Sequence, residues 1–293
     1  MPVAEFSIDK NVPITVRDGV TLRADVFRPS GDGRHPVIMT YGPYGKDIHF
    51  QDFNAAAYGL LDEQGGPLMN WETVNPEWWV PRGYVVIRVD QRGTGTSEGR
   101  LALFAPQEAE DYYDCIEWAG VQPWSTGRVG LLGISYYAIN QWHVAALQPP
   151  HLAAIVPWEG AVDIYRDWAY HGGILSNVFT DAWWPRQITG NQSALEPGRG
   201  NPNTAIDGNA EFPAELRAHP FDDDYYGHRA ASLEKITVPV LSAGSWSGYA
   251  LHLRGTSTAS SAPAPSTNGW RCTAETTSPR STPRNPGCTR RAS

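Results

Sequence analysis

Ser135 stands where an apolar run meets a pattern with helical spacing. The stretch R-V-G-L-L-G-I-S-Y-Y-A, residues 128–138, predicts a buried strand that turns at this serine directly into a helix. Enzymes with a serine nucleophile use such a corner because the strained turn exposes the serine hydroxyl. The glycine usual two residues after the serine is replaced here by Tyr137. The corner is therefore a candidate nucleophile site of a variant kind.

A serine hydroxyl attacks a carbonyl carbon when a base accepts its proton and hydrogen-bond donors stabilise the resulting oxyanion. The backbone N–H of Tyr136, directly after the serine, is one expected donor. The second is expected from the loop G-P-Y-G-K, residues 42–46, in which Tyr44 carries a phenolic hydroxyl. Taken alone, this loop is equally compatible with a tight turn that carries a surface tyrosine.

The elements around these residues predict an α/β fold with a mostly parallel sheet and helices on both faces. Predicted strands cover 12–16 and 20–27, a hairpin around an Asp-Gly turn, and then 36–42, 84–90, 128–134, 153–158 and 238–244; helices cover 107–120 and 136–147. The roughly 80 residues between the last two strands are too many for a connector and predict an inserted cap of short helices and loops. The predicted division is a core over 1–158, a cap over 159–236 and a core continuation over 237–255.

The composition of residues 256–293 differs from that of the rest of the chain. This segment has no Val, Ile, Leu, Met, Phe or Tyr, and it carries five arginines and one glutamate. It cannot build a core, so it predicts a disordered Ser/Thr/Pro tail or, as the preferred interpretation, a segment translated out of frame. We expect no further strand after residue 255.

The bulk properties exclude several classes of protein. The net charge is −8, and residues 1–255 hold 18 basic and 30 acidic side chains, which argues against nucleic acid as a partner. No apolar run is long enough to span a membrane, and no secretory signal is visible. The three cysteines offer neither metal-ligand spacing nor a disulfide framework. We expect a cytoplasmic protein without cofactor or metal; its oligomeric state is left open.

Three motifs together resemble the cocaine esterase and X-prolyl dipeptidyl peptidase family of serine hydrolases, the CocE/NonD type. They are G-P-Y-G-K at 42–46, V-D-Q-R-G-T-G-T-S-E-G at 89–99 and G-I-S-Y-Y-A at 133–138. The resemblance implies an α/β-hydrolase fold with Ser135 as nucleophile, and Tyr44 and the Tyr136 N–H as the oxyanion hole. It implies a small ester or amide as substrate, cleaved through an acyl-enzyme. The family's last strand and its C-terminal jelly-roll domain are expected to be missing.

The family's acid and histidine have no clear counterpart. Ser247 stands where the resemblance implies an aspartate, and His252 is the one histidine past the last predicted strand. Glu159 directly follows the strand at 153–158, so we take it as a tentative acid; a pocket or surface glutamate is the alternative. The triad histidine is not identified. We therefore expect a serine hydrolase whose activity the truncation can impair; an inactive relic that retains a binding pocket and an acyltransferase are the alternatives.

Overall fold

The computed structural model describes residues 6–61, 65–190, 212–246, 248 and 250–261, and the backbone of 271–276. Within these residues the main sheet has the strand order β1-β2-β4-β3-β5-β6-β9-β10. Its strands are β1 (Phe6–Thr15), β2 (Thr21–Pro29), β3 (His35–Gly42), β4 (Val85–Asp90), β5 (Ser125–Ile134), β6 (Leu152–Trp158), β9 (Val240–Ser245) and β10 (Arg271–Thr276). A separate hairpin pairs β7 (Tyr170–His171) with β8 (Ile174–Leu175).

The helices alternate with the strands. They are α1 (Phe50–Phe53), α2 (Ala55–Tyr58), α3 (Pro76–Trp79), α4 (Pro106–Gly120), α5 (Tyr136–Ala146), α6 (Asn177–Trp183), α7 (Phe212–Ala218), α8 (Asp224–Gly227) and α9 (Leu253–Ser261). Two π-helical segments cover Ile164–Ala169 and Trp184–Thr189, and 3-10 turns cover Val80–Arg82 and Leu233–Lys235. Of these, α4 and α5 match the helices predicted over 107–120 and 136–147, whereas α1, α2 and α3 were not predicted.

The sheet is antiparallel at one edge and parallel elsewhere. β1 pairs with β2 and β2 with β4 in antiparallel register, whereas the remaining neighbours are parallel. All six residues of β4 are buried, as expected for a strand covered by helices on both faces. The predicted α/β-hydrolase fold is therefore confirmed.

Helices α4 and α5 are largely buried. Along α4, Tyr112, Cys115, Ile116 and Ala119 repeat at helical spacing and are at most 1% exposed. Helix α5 is buried over nearly its whole length, with Trp142 only 1% exposed, because it lies between the sheet and the elements that follow β6. A helix so enclosed holds its first residue firmly in place.

The chain after β9 differs in part from the prediction. Residues 253–261 form α9, and the backbone of Arg271–Thr276 forms β10, which pairs in parallel with β9. The prediction that no strand follows residue 255 is therefore wrong for these six residues. The pairing uses backbone groups, which a sequence without apolar side chains still offers.

The elements between β6 and β9 are short helices, turns and the β7–β8 hairpin. The cap over 159–236 as a separate unit stays a prediction, as does the out-of-frame origin of the tail. Across the described ranges, no helix has the length and apolarity needed to cross a lipid bilayer.

Candidate active site

Ser135 occupies the turn between β5 and α5 with a strained backbone. Its φ of 56° and ψ of −114° fall in a region that non-glycine residues rarely adopt. It is the N-cap residue of α5, yet its side chain makes no capping hydrogen bond. The backbone N–H of Ser135 donates to the Trp158 carbonyl at 3.0 Å, which ties the turn to the end of β6. The predicted strand–serine–helix corner is confirmed, and its hydroxyl is not used in capping.

Two glycines make room for Tyr137, the residue that replaces the usual glycine of the corner. A Cβ at Gly133 would lie 2.4 Å from the Tyr137 Cβ, and a Cβ at Gly42 would lie 2.5 Å from its ring. Neither distance is possible without a shift of the backbone or the ring. Tyr137 therefore fits at this corner because the positions that face it, Gly133 on β5 and Gly42 on β3, have no side chain.

The expected oxyanion donors are Tyr136 and Tyr44. Tyr136 is the first residue of α5, so its backbone N–H has no partner within the helix. The rings of Tyr44 and Tyr136 meet edge to face with centroids 5.9 Å apart. The G-P-Y-G-K loop at 42–46 thus lies against the start of the helix. Sequence reasoning alone left a surface turn open; Tyr44 is instead only 3% exposed.

The Tyr44 hydroxyl is held by a residue from the predicted cap. Trp183 Nε1 donates to Tyr44 Oη at 3.0 Å. Burial, with the nearby Glu72 carboxyl, raises the pKa of Tyr44 well above its ordinary value. The hydroxyl therefore stays protonated, accepts from Trp183 and keeps its own proton to donate.

Aromatic rings surround this position. Trp168 and Trp183 are at most 3% exposed, and the ring centroid of Trp168 lies 5.2 Å from that of Phe104. Phe104 in turn stacks on Tyr136. Trp183 packs against the rings of both Tyr44 and Tyr136, with centroids 6.5 and 6.3 Å away, and Trp168 packs behind it, which restricts the two tyrosine rings.

The loop that carries Tyr44 is anchored by a buried ion cluster. The Lys46 side chain is 1% exposed, and its Nζ lies 3.4 Å from Asp25 and 3.6 Å from Asp90. The backbone N–H of Lys46 donates to Asp90 Oδ1 at 2.7 Å. Burial, only partly opposed by the Lys46 charge, raises the pKa of Asp90 to about 6. Arg92, two residues later, pairs instead with Asp111.

The backbone of two glutamates adjoins the serine turn. Glu72 and Glu159 share with Ser135 a positive φ, 59° and 53°. The Glu72 carbonyl accepts from the Ile134 N–H at 3.1 Å, and Glu159 directly follows Trp158, which accepts from Ser135. Burial raises the pKa of Glu159; burial, and then the Glu159 charge, raises that of Glu72. Three strained backbone positions thus meet around Ser135.

No histidine in the described part of the chain makes a hydrogen bond with the Ser135 hydroxyl. His252 lies just before α9, where burial lowers its pKa to about 4, and its Nδ1 has no partner among the described residues. His143 is buried on α5, and burial followed by the charge of Arg229 lowers its pKa to about 4. Ser247, the position at which an aspartate is implied, lies outside the described residues. The structure therefore leaves the triad histidine unassigned.

Sequence reasoning missed Glu72, Trp183 as a hydrogen-bond donor, and Glu108. Glu72 lies in a loop with no motif, so the sequence carries no signal for it. Glu108 does have a signal: it lies four residues before Tyr112, on the buried face of the predicted helix. An acidic residue on an apolar helical face indicates a specific partner.

A model of the X-Pro dipeptidyl-peptidase (S15) family matches residues 18–258, most of the chain. The chain belongs to the S15 family. Cocaine esterase of a Rhodococcus species is 35% identical over 174 residues, which cover 58% of this chain and 27% of that protein. A putative serine esterase of Mycobacterium bovis is 28% identical over 266 residues, 78% of this chain and 41% of that protein.

Among solved structures, a CocE/NonD family hydrolase from Staphylococcus aureus aligns with a TM-score of 0.76 at 35% identity. The alignment covers 92% of this chain and 46% of that one. This S15 chain thus spans less than half the length of these relatives. They are named as esterases, peptidases and hydrolases, so the fold and the hydrolase family rest on more than the motifs.

Proposed function

We propose that this chain is a serine hydrolase that cleaves small acyl esters or amides through an acyl-enzyme. The observation that carries the proposal is the Ser135 turn. It has a strained positive φ, a hydroxyl that caps no helix, and the start of α5 with Tyr44 packed beside it. The esterase and X-Pro dipeptidyl-peptidase names of the relatives support this substrate class.

In the proposed reaction Ser135 Oγ attacks the carbonyl carbon and its proton passes to a base. The carbonyl oxygen becomes an oxyanion, stabilised by the Tyr136 N–H and the Tyr44 hydroxyl. Collapse expels the alcohol or amine, which takes the proton, and leaves an ester on Ser135. Water then attacks this ester, releases the acid and restores the serine. We propose Glu159 as the carboxylate that orients the base.

A fluorophosphonate probe tests the nucleophile directly. We expect the folded chain to gain one covalent adduct, mapped by peptide mass spectrometry to Ser135, and Ser135→Ala to gain none. Ser97→Ala, on a buried serine of the loop after β4, serves as a matched control that keeps the label. A folded chain that never reacts would favour a binding protein or inactive relic over an enzyme.

Hydrolysis of p-nitrophenyl acetate and of Ala-Pro-p-nitroanilide separates esterase from peptidase chemistry. Transfer of the acyl group to an added alcohol instead of water would indicate an acyltransferase, since the acyl-enzyme is common to both reactions.

Glu159→Gln tests the assignment of the acid. The change keeps the shape of the side chain but removes its charge, so the base is no longer held by a carboxylate. We expect kcat for p-nitrophenyl acetate at pH 8 to fall at least about tenfold with KM nearly constant. The exposed Glu234→Gln is the control. Equal kcat values in the two variants would remove Glu159 from the mechanism.

A further inference from the structure

Glu108 accepts two hydrogen bonds on one carboxylate oxygen. The hydroxyl of Tyr136 donates to Glu108 Oε2 at 2.8 Å, and the backbone N–H of Phe104 donates to the same atom at 2.7 Å. The rings of Tyr136 and Phe104 are stacked, with centroids 4.7 Å apart. Glu108 therefore fixes two groups that already pack on each other.

The first of these groups leads to the proposed oxyanion hole. Tyr136 is fully buried, and it is the residue whose backbone N–H begins α5 beside Ser135. A tyrosine anchored at its hydroxyl cannot rotate or shift without breaking that bond, so the position of its backbone N–H is fixed as well. A displacement of about 1 Å at such a donor is enough to cost large factors in rate.

We propose that Glu108 is a positioning residue of the oxyanion hole, holding Tyr136 through its hydroxyl and, by its proton, setting the charge behind the hole. This proposal rests on the proposed function.

The other oxygen of Glu108 lies beside a small buried cavity. Glu108 Oε1 has no hydrogen-bond partner among the described residues, and Glu108 lines a cavity of about 10 Å³ with Asn140 and His143. Asn140 Nδ2 donates to the Tyr41 carbonyl at 2.6 Å, so the amide oxygen, also unpartnered, is left as an acceptor. The Asn140 side chain nevertheless lies close enough to Glu108 to favour the charged form, so burial is what favours a proton on this carboxyl.

The charged and titratable groups around Glu108 come from four elements. They are Asp111 on α4, Tyr41 on β3, Tyr136 and His143 on α5, and Arg229 after α8. Asp111 is already paired with Arg92. Burial, opposed by the Tyr136 hydroxyl, the Phe104 N–H and the Asn140 amide, raises the pKa of Glu108 to about 7. The carboxyl is neutral below that pH and charged above it.

The direction in which pH changes the reaction rate follows from the charge of Glu108. Above about pH 7 the carboxylate places a negative charge behind a hole in which a second negative charge develops, and the two repel each other. At an effective dielectric constant near 20, such a repulsion slows the reaction roughly fivefold. Below pH 7 the neutral acid keeps the hydrogen bonds without this repulsion.

The test is the rate of fluorophosphonate labelling of Ser135 between pH 5.5 and 8.5. Glu108→Gln keeps an acceptor oxygen but does not titrate, so the ratio of wild-type to E108Q rates is expected to fall roughly fivefold as pH rises through 7. Using the ratio cancels the titration of every other group. Glu110→Gln on the same helix is the control, and its ratio to wild type stays constant.

Glu108→Ala tests positioning separately. At pH 6 it is expected to label about tenfold more slowly than wild type, whereas E108Q retains at least half of the wild-type rate. Thermal melts establish that both variants are folded; should E108A unfold, the E108Q ratio alone decides. A wild-type chain that never labels overturns this proposal together with the proposed function. Labelling of Ser135 with a constant E108Q ratio overturns this proposal alone.

Discussion

Tyr44→Phe is expected to lower kcat for ester hydrolysis by about 10²–10³-fold, with KM changed by less than about twofold. The Tyr44 hydroxyl stays protonated because burial raises its pKa. Its oxygen already accepts a hydrogen bond from Trp183 Nε1. Its proton is thus free for an oxygen that gains charge only in the transition state. A donor that acts mainly there changes kcat rather than KM.

The measurement is steady-state hydrolysis of p-nitrophenyl acetate. Phenylalanine keeps the ring contacts with Tyr136 and Trp183 but leaves the buried Trp183 Nε1 without its acceptor, so the thermal midpoint should fall by a few degrees while the chain stays folded. Tyr84→Phe, whose ring packs on Trp79 at the opposite end of β4, is the matched control and should leave kcat unchanged. A fall in kcat of less than about threefold would mean that Tyr44 only packs in the site.

The parts of this site that follow strand ends were predictable, because local sequence decides them. The apolar run of β5 and the helical spacing of α5 place Ser135 at a turn whatever the rest of the chain does. Likewise the glycines around Tyr44 mark the loop after β3. In parallel sheets these ends meet at one edge, so the sequence brings Ser135 and Tyr44 together.

The contacts across layers were not predictable, since no local pattern encodes them. Trp183 lies 139 residues after Tyr44 in the chain and donates to its hydroxyl. Lys46, in the loop after β3, forms an ion pair with Asp25 on β2. Glu72 acquires its position through one backbone hydrogen bond to Ile134. β10 was missed for a related reason: its pairing with β9 depends on backbone register rather than on apolar side chains.

Lys46→Met is expected to lower the free energy of unfolding at pH 8 by about 3–5 kcal/mol. Lys46 Nζ is the buried cation between Asp25 and Asp90, which are both at most 1% exposed. Methionine fills the space but leaves the buried Asp90 carboxylate without its cation, whereas Asp25 and Asp47 keep their ion pairs with Lys10. Labelling of Ser135 should slow as well, because Lys46 lies two residues after Tyr44 and its N–H binds Asp90.

The loss of unfolding free energy in Lys46→Met is expected to grow as pH rises. The pKa of Asp90 is raised to about 6 even with Lys46 present, and removing the cation raises it further. Between these two pKa values the folded variant binds more protons than the folded wild type. The variant therefore loses stability relative to wild type as pH rises above about 6. Urea unfolding at pH 5 and pH 8 should give the larger difference at pH 8.

Two further variants separate charge from packing. Lys235→Met, at an exposed lysine, should leave the free energy of unfolding within about 0.5 kcal/mol of wild type. Asp90→Asn added to Lys46→Met should recover most of the loss, because it removes the carboxylate left without a cation while keeping an acceptor for the backbone N–H at position 46. A Lys46→Met loss below about 1 kcal/mol, equal at both pH values, would contradict the buried cluster as the anchor of the Tyr44 loop. Tyr44 would then be held by Trp183 and by its packing against Tyr136 and Tyr137 alone.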